Sequence, residues 1–554
     1  MNFQQKFGII STILALPILT LSQDSPPLVC NDFGTCYQGS WMEAKSIATF
    51  QGIRYAQPPI GELRFKNPIP INQQEGTIDV SEISTVKCTQ IGFLSGNVLL
   101  GQEDCLLLNI YVPEGVLNNP EKKLPVIFWI HGGGLTEGSG NFEDYGPKYL
   151  VEKDVVYVSI NYRLGPLGFL SMGNEDVPGN AGFRDQSLAL KWVHDNIANF
   201  GGDPDSITIA GESAGALSVA LHMTAPQSQK NFQRAIMQSD TAVGSAYTPI
   251  SSEHAVEYAG LLARRLGCDE ENNPLDCMQR RTIEEIFDNQ DVMNGGVVWQ
   301  ATPDYKFTSD PFIPGEVEEL LANGQFNQDI QIMAGSNNDE GILYFPEALA
   351  DASQWDNVKT AFKTLGPRLL FNIADPADFT DEDFAKARQI IEFYVGSIDN
   401  INEEHKQGMI YMMTDASFLF GIHNGIRYWQ KYGVTVFQYL LTYQGEYSLS
   451  NAFGLPTIGV CHGDDLKYLY DPVAYVAGEL NEEDEFVRNL MTTAWTNFAK
   501  YGDPTPPDSE FEWTPQSDGS ENQFFNISGP SSAMASSQFI QDRMTLWDRV
   551  LEKN

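Results

Sequence analysis

Gly211-Glu212-Ser213-Ala214-Gly215 sets a serine among small residues, between a β-branched run and an unbroken helix-forming run. Ser206-Ile207-Thr208-Ile209-Ala210 before it reads as a buried strand. Leu217, Val219, Ala220, Leu221 and Met223 after it continue without a breaker until Pro226, as a helix would. A strand that turns into a helix through small-x-Ser-x-small strains the serine backbone, and only small neighbours tolerate the crowding. Such a turn exposes the Ser213 hydroxyl at a helix N-terminus, where backbone N–H groups favour developing negative charge. Ser213 is therefore a candidate nucleophile.

A serine nucleophile needs a base, a group that orients the base, and donors for the oxyanion. Of the seven histidines, His405, His423 and His462 fall in the second half of the chain. His405 belongs to a charged helical surface, Asn402-Glu403-Glu404-His405-Lys406, and His423 to a core-packed helical stretch, Phe420-Gly421-Ile422-His423-Asn424. His462 lies in Gly459-Val460-Cys461-His462-Gly463-Asp464-Asp465, a glycine-flanked loop after a strong strand, where a mobile base belongs. For the acid, Asp339 and Glu340 both follow the strand-like run 330–335, and Glu212 beside the nucleophile competes with them. Gly132-Gly133-Gly134, after an apolar run, offers unobstructed N–H groups to join that of Ala214.

These residues need a frame. Runs 125–131, 155–162, 206–210, 234–239, 330–335 and 434–441 read as strands, the last of them the final strong one. Residues 103–113 read as a strand pinned by Cys105, and 29–37 as a small hairpin around Asn31-Asp32-Phe33-Gly34. Leu188, Trp192, Val193 and Ile197 recur at helical spacing within 184–200, and 485–501 and 538–551 read as closing helices. Strands alternating with helices imply a mostly parallel central sheet flanked by helices. The length alone suggests two to four domains. With no repeat and no linker, and with helix-rich sections over 245–325 and 345–430, a single large α/β domain with helical insertions fits better.

The chain of 554 residues is 42% hydrophobic and 19% charged, with 48 Gly and 30 Pro, a loop-rich globular composition. Its net charge of −39, without a run of Lys and Arg, argues against nucleic acid or an anionic membrane as partner. Residues 1–22 read as a secretory signal peptide, with Lys6, an apolar stretch over 7–21 and a cleavage site at Thr20-Leu21-Ser22, so the mature chain spans 23–554. No other stretch is long and apolar enough to span a bilayer. Seven cysteines suit an oxidising compartment. Cys30 and Cys36 could bridge the hairpin, Cys461 is by position the one left over, and Asn526-Ile527-Ser528 is the sole N-glycosylation sequon.

With these residues in hand, the chain resembles the type-B carboxylesterase and cholinesterase family over essentially the whole mature sequence. Phe200-Gly201-Gly202-Asp203-Pro204 through Gly215 matches the serine active-site pattern. Glu103-Asp104-Cys105-Leu106 through Pro113 matches a second signature except at Leu107. Gly52-Ile53-Arg54-Tyr55-Ala56, Asn161-Tyr162-Arg163-Leu164-Gly165 and Gly502-Asp503-Pro504 support the match. The resemblance implies an α/β-hydrolase fold, acyl-enzyme chemistry on a small-molecule ester, and neither cofactor nor metal. It places the acid at Glu340, the base at His462 and the oxyanion donors at Gly133, Gly134 and Ala214, and implies the pairs Cys88–Cys105 and Cys268–Cys277.

The departures bear on substrate. No tryptophan lies between Cys88 and Cys105, where cholinesterases use one to stack on quaternary ammonium, so choline esters are poor candidates. Glu212 stands where juvenile hormone esterases usually carry Gln, which predicts a weaker resemblance to them than to general carboxylesterases. Leu135 after the glycines, Asp240 in place of a glycine, and Ala246 or Tyr247 near a usual acyl-pocket tryptophan together predict a reshaped acyl pocket. The expectation is a secreted serine hydrolase of carboxylic esters. The alternatives are a catalytically idle adhesion relative of the neuroligin or glutactin kind, a lipase, or an enzyme like juvenile hormone esterase.

Overall fold

A computed structural model describes residues 25–552 except 32, 43–45, 73, 93–95, 118, 120, 245–247, 294–298, 374–375, 474–477, 508, 510 and 517–522. The expected signal peptide and the Ala246 and Tyr247 positions lie outside the described residues.

The strands in chain order are β1 Leu28–Cys30, β2 Thr35–Gln38, β3 Ser40–Met42, β4 Ile47–Arg54, β5 Gly76–Asp79, β6 Leu107–Pro113, β7 Leu124–Ile130, β8 Val156–Ile160, β9 Gly202–Glu212, β10 Arg234–Gln238, β11 Gln331–Asn337, β12 Thr435–Leu441, β13 Gln523–Ile527 and β14 Ala533–Ser536. One sheet, ordered β14-β13-β12-β11-β10-β9-β7-β8-β6-β4-β3, runs through most of the chain and makes it a single unit. From β8 through β7 to β13 neighbouring strands pair in parallel, while β3, β4 and β6 at one edge and β14 at the other pair antiparallel.

The continuous apolar character of β7 follows from its place. Val126, Phe128 and Ile130 enter the core on one face of the sheet, and Ile127 and Trp129 enter the core on the other. A strand covered on both faces has no side to leave polar. Helix Ala181–Asn196, continued by a 3₁₀ turn Ile197–Phe200, buries Ala189, Leu190 and Val193 in the first core. Helix Glu482–Tyr501 buries Val487, Met491 and Trp495 in the second. A third core lies under the helices of the second half, among Ile342, Ile390, Met409, Phe420 and Trp547.

Two strand expectations need correction. Run 434–441 is not the final strand of the sheet: β13 adds to it in parallel and β14 closes the edge. Polar Gln523 and Asn526 in so short a segment hide its apolar pattern. The strand expected over 103–113 begins only at Leu107. Before it, Glu103 grips Arg64 at 2.6 and 2.7 Å, Asp104 pairs with Arg54, and Cys105 is bonded to Cys88, so polar anchoring replaces the ladder there. Disulfides join Cys30–Cys36 across the β1–β2 hairpin, Cys88–Cys105 and Cys268–Cys277, and Cys461 is free and buried.

The Asn161-Tyr162-Arg163 segment leaves the end of β8 and is fixed by a buried ion pair. Arg163 binds Asp185 through Nη2 at 2.7 Å and Nε at 2.8 Å, with side chains 3% and 0% exposed. Removing one partner leaves an unpaired buried charge. We expect Asp185→Ala to lower the unfolding free energy by about 3–5 kcal/mol in chemical denaturation, and Arg163→Met with Asp185→Leu to recover much of the loss.

Candidate active site

The site is built on the C-terminal ends of the central parallel strands. Ser213 joins β9 to helix Ala214–Thr224 at φ 56° and ψ −124°, a backbone region that side chains rarely adopt. Crowding enforces it. A Cβ on Gly215 would lie 2.1 Å from the Ile130 carbonyl oxygen at the end of β7, and one on Gly211 would lie 2.4 Å from the Gly215 carbonyl carbon. The Ser213 N–H is bonded to the Gln238 carbonyl at 2.8 Å, which ties the turn to β10 as well. Serine at a helix N-cap ordinarily spends its hydroxyl on the helix. Ser213 makes no such bond, so its oxygen is left for chemistry.

The glycine loop packs directly on this turn: a Cβ on Gly132 would meet Glu212 Oε2 at 2.6 Å and Ser213 Cβ at 3.1 Å. Gly133 and Gly134 take φ of 102° and 61°, and the Gly133 carbonyl accepts the N–H groups of Thr136 and Glu137, each at 3.0 Å. Among the described residues, the N–H groups of Gly133, Gly134 and Ala214 find no acceptor. An oxyanion requires unspent donors of this kind.

His462 is held between two carboxylates. Its Nδ1 lies 2.5 Å from Glu340 Oε2 and its Nε2 3.2 Å from Glu212 Oε1. Glu340, fully buried, also accepts the Ser239 hydroxyl at 2.5 Å and the Asn337 N–H at 2.6 Å through Oε1, which aims Oε2 at the imidazole. Among the described residues no hydrogen bond joins the Ser213 hydroxyl to Nε2; such bonds are commonly loose before substrate arrives.

Of the two neighbouring carboxylates it is Glu340 that meets the imidazole, while Asp339 makes other contacts. Its Oδ2 accepts the Val460 N–H at 3.1 Å, its own N–H donates to the Val460 carbonyl at 3.0 Å, and its Oδ1 takes Gln407 Nε2 at 2.8 Å, so it clamps the loop that carries His462. Asp464 holds the other side of that loop through the N–H groups of Cys461 and Leu449 and the Ser448 hydroxyl.

Sequence reasoning missed a support behind these groups. Buried Asp465 accepts Gln238 Nε2 at 2.6 Å, and Gln238 Oε1 accepts the Trp495 indole N–H at 3.0 Å, tying the histidine loop to β10 and a closing helix. The doubled Asp464-Asp465 after His462 was the only signal for it.

Of the remaining histidines, His131 is stacked on Tyr162 and His222 is bound by Ser228 and Gln186, and burial depresses them to about 4 and about 3. His405 meets Asn402 on the surface, and His423 lies 3.5 Å from Asp548. Burial by itself would lower His462, but Glu212, Glu340 and the more distant Asp465 outweigh it and lift the imidazole to about 9. Burial raises Glu212 to about 8 against the opposing pull of His462. Burial, with Asp464 and Glu340, pushes the Cys461 thiol well up, which favours its protonated form beside His462. Leu135 is buried at φ 61°, and Asp240 is buried next to Ser239.

Asn526 does not lie in an exposed loop. It is half-buried in β13, paired on both sides, and its Oδ1 accepts the Thr442 hydroxyl at 2.7 Å. Among the described residues, no group of His, Cys, Asp and Glu could hold a metal ion, and no helix is long and apolar enough to cross a membrane.

A model of the carboxylesterase family matches residues 34–547. The chain is 33% identical to a juvenile hormone esterase of Tribolium castaneum over 505 residues, 87% of this chain and 84% of the relative. It is 35% identical to venom carboxylesterase-6 of Apis mellifera over 473 residues, 82% of each chain. Acetylcholinesterase 1 of Caenorhabditis elegans is 32% identical over 529 residues, 89% of this chain and 80% of the relative. The two identities, 33% to the juvenile hormone esterase and 35% to the venom carboxylesterase, differ too little to rank the two kinds of relative. One residue, Glu212, does not rank relatives whose similarity is spread over the whole domain.

The Glu212 charge favours the protonated imidazole, and only the neutral imidazole can accept a proton. Glu212→Gln is therefore expected to move the acid limb of the pH profile of kcat/KM for a neutral ester to lower pH. A limb that stays in place or moves up contradicts the assignment.

Proposed function

We propose, for a chain that belongs to the carboxylesterase family and is a carboxylic ester hydrolase, that the ester is cleaved through a covalent acyl-enzyme on Ser213. The observation that carries this reading is the Glu340–His462 contact of 2.5 Å beside a serine whose hydroxyl is withheld from capping its own helix. Glu340 fixes the tautomer with the proton on Nδ1, so that Nε2 is the basic nitrogen. As the Ser213 oxygen attacks the ester carbonyl, His462 Nε2 takes its proton. The N–H groups of Gly133, Gly134 and Ala214 receive the negative charge that develops on the carbonyl oxygen, at a helix N-terminus where the backbone dipoles already favour it.

Collapse of the tetrahedral intermediate breaks the bond to the alcohol, which leaves with the proton from His462. Water then attacks the acyl group, giving its proton to His462, and the acid departs as Ser213 recovers its hydrogen. Neither cofactor nor metal enters this sequence of steps.

The substrates in this reading are small-molecule esters, and the protein is secreted. Three disulfides and the leader-like residues 1–22 support secretion. A glycan on Asn526 would have to be attached before β13 pairs with its neighbours.

The test is hydrolysis of p-nitrophenyl esters from acetate to decanoate, combined with labelling by a serine-directed fluorophosphonate. Ser213→Ala is expected to lose the label and at least about 10⁴-fold in kcat. Gly133→Ala places a Cβ 2.1 Å from the Glu137 carbonyl oxygen, displaces the donor loop and is expected to lose about 10²–10³-fold. Label and activity retained in Ser213→Ala would reject the mechanism, and an inactive, unlabelled but folded wild type would favour an idle binding relative.

A further inference from the structure

We infer that Phe418 is a positioning residue for His462: its ring lies flat on the imidazole and a π-helical turn anchored by the C-terminal helix keeps it there. The inference rests on the proposed role of His462 as base.

Between helices Lys406–Thr414 and Phe420–Lys431 the chain makes a π-helical turn, Asp415–Leu419, in which every residue is buried. Such turns insert one residue into a helix, are rare and frequently occur at functional sites. One residue of register rotates a side chain by about 100° about the helix axis, so the inserted residue decides where Phe418 points. The ring centroids of Phe418 and His462 lie 4.5 Å apart with planes 25° from parallel.

The turn is held from outside. Arg543, on helix Gln538–Val550, grips both Asp415 carboxylate oxygens, through Nε at 2.6 Å and through Nη2. The Tyr394 hydroxyl donates to the same carboxylate and accepts the Trp547 indole N–H at 2.9 Å. The guanidinium lies over the rings of Tyr411 and Phe539 at 4.8 and 5.2 Å. The helix leading into the turn also meets the segment that carries the acid: Thr414 Oγ1 accepts the Gly341 N–H at 3.0 Å, and a Cβ on Gly341 would lie 2.1 Å from the Ile410 carbonyl oxygen. One helical segment therefore sets both partners of the Glu340–His462 pair.

The charged groups around His462 are Glu212 after β9, Glu340 after β11 and Asp465 on its own loop; Phe418 covers a face that none of them occupies. Stacking restricts the imidazole plane in both protonation states. The negative face of the phenyl ring additionally favours the imidazolium that forms as Ser213 loses its proton, an interaction stronger in the transition state than in the ground state.

Phe418→Leu is accordingly expected to lower kcat roughly 2- to 30-fold with little change in KM for p-nitrophenyl acetate, and to move the acid limb to lower pH. Phe418→Tyr, which keeps the ring, is expected to restore wild-type kcat. The wild type, with histidine isotopically labelled and His462 assigned by comparison with His462→Gln, should show His462 ring protons shifted upfield by the phenyl ring current. Wild-type kcat and pH profile in folded Phe418→Leu would overturn the inference, as would unshifted His462 protons, which remain readable if the leucine variant fails to fold. Activity retained in His462→Ala would instead overturn the reading of the base, and an inactive His462→Ala with a fully active Phe418→Leu would overturn this inference alone.

Discussion

The candidate site depends on how closely helix Ala214–Thr224 is drawn against the end of β7. Gly215 stands where any Cβ would run into the Ile130 carbonyl, and Gly211 where a Cβ would run into Gly215 itself. With the helix this close to the strand it leaves, the connecting residue has no ordinary backbone conformation left, and Ser213 is forced to positive φ. Strain of this kind costs on the order of 1–3 kcal/mol and persists only where the surroundings over-determine it. Here β7 and β10 flank β9 in parallel, and the turn is bonded to Gln238 on β10. The strained serine is a consequence of two glycines packed between strands that cannot move apart.

The second constraint is electrostatic. Glu212, Glu340, Asp465 and His462 all lie buried at the same end of the sheet. Carboxylates are expensive to bury unless hydrogen bonds replace their water. Glu340 receives a hydroxyl, a backbone N–H and an imidazole, and Asp465 receives two side-chain amides and a tyrosine hydroxyl. Both sets of donors come from β10, β11 and β12 or the loops that follow them, so the sheet that strains Ser213 also solvates Glu340. The surface acidity behind the net charge of −39 is a separate matter, being spread over exposed loops and helices.

Much of this was legible in the chain. The strained turn at Ser213 shows as a local pattern, because strain at one residue must be permitted by its immediate neighbours. The parallel sheet shows because doubly covered strands such as β7 must be apolar throughout. His462 could be reached by elimination among seven histidines and by its glycine-flanked loop. Asp339 and Glu340 could not be separated from spacing alone, since adjacent side chains on a turn point in different directions that only the packed loop decides. β13 was illegible because a short strand at the margin of a sheet carries too few apolar residues to show a period.

The sequence by itself determined the candidate serine and histidine, the order in which they occur and the kind of fold that must hold them, because each of these rests on residue type and on neighbours along the chain. Tertiary structure decided which carboxylate faces the imidazole, that Asp339 and Asp464 clamp the loop instead, and that Phe418 meets His462 from a π-helical turn fixed by Arg543. Those contacts join residues far apart in the chain, and nothing local to either partner encodes the distance between them. Only the register of strands and helices, set by packing three cores around one sheet, brings them together.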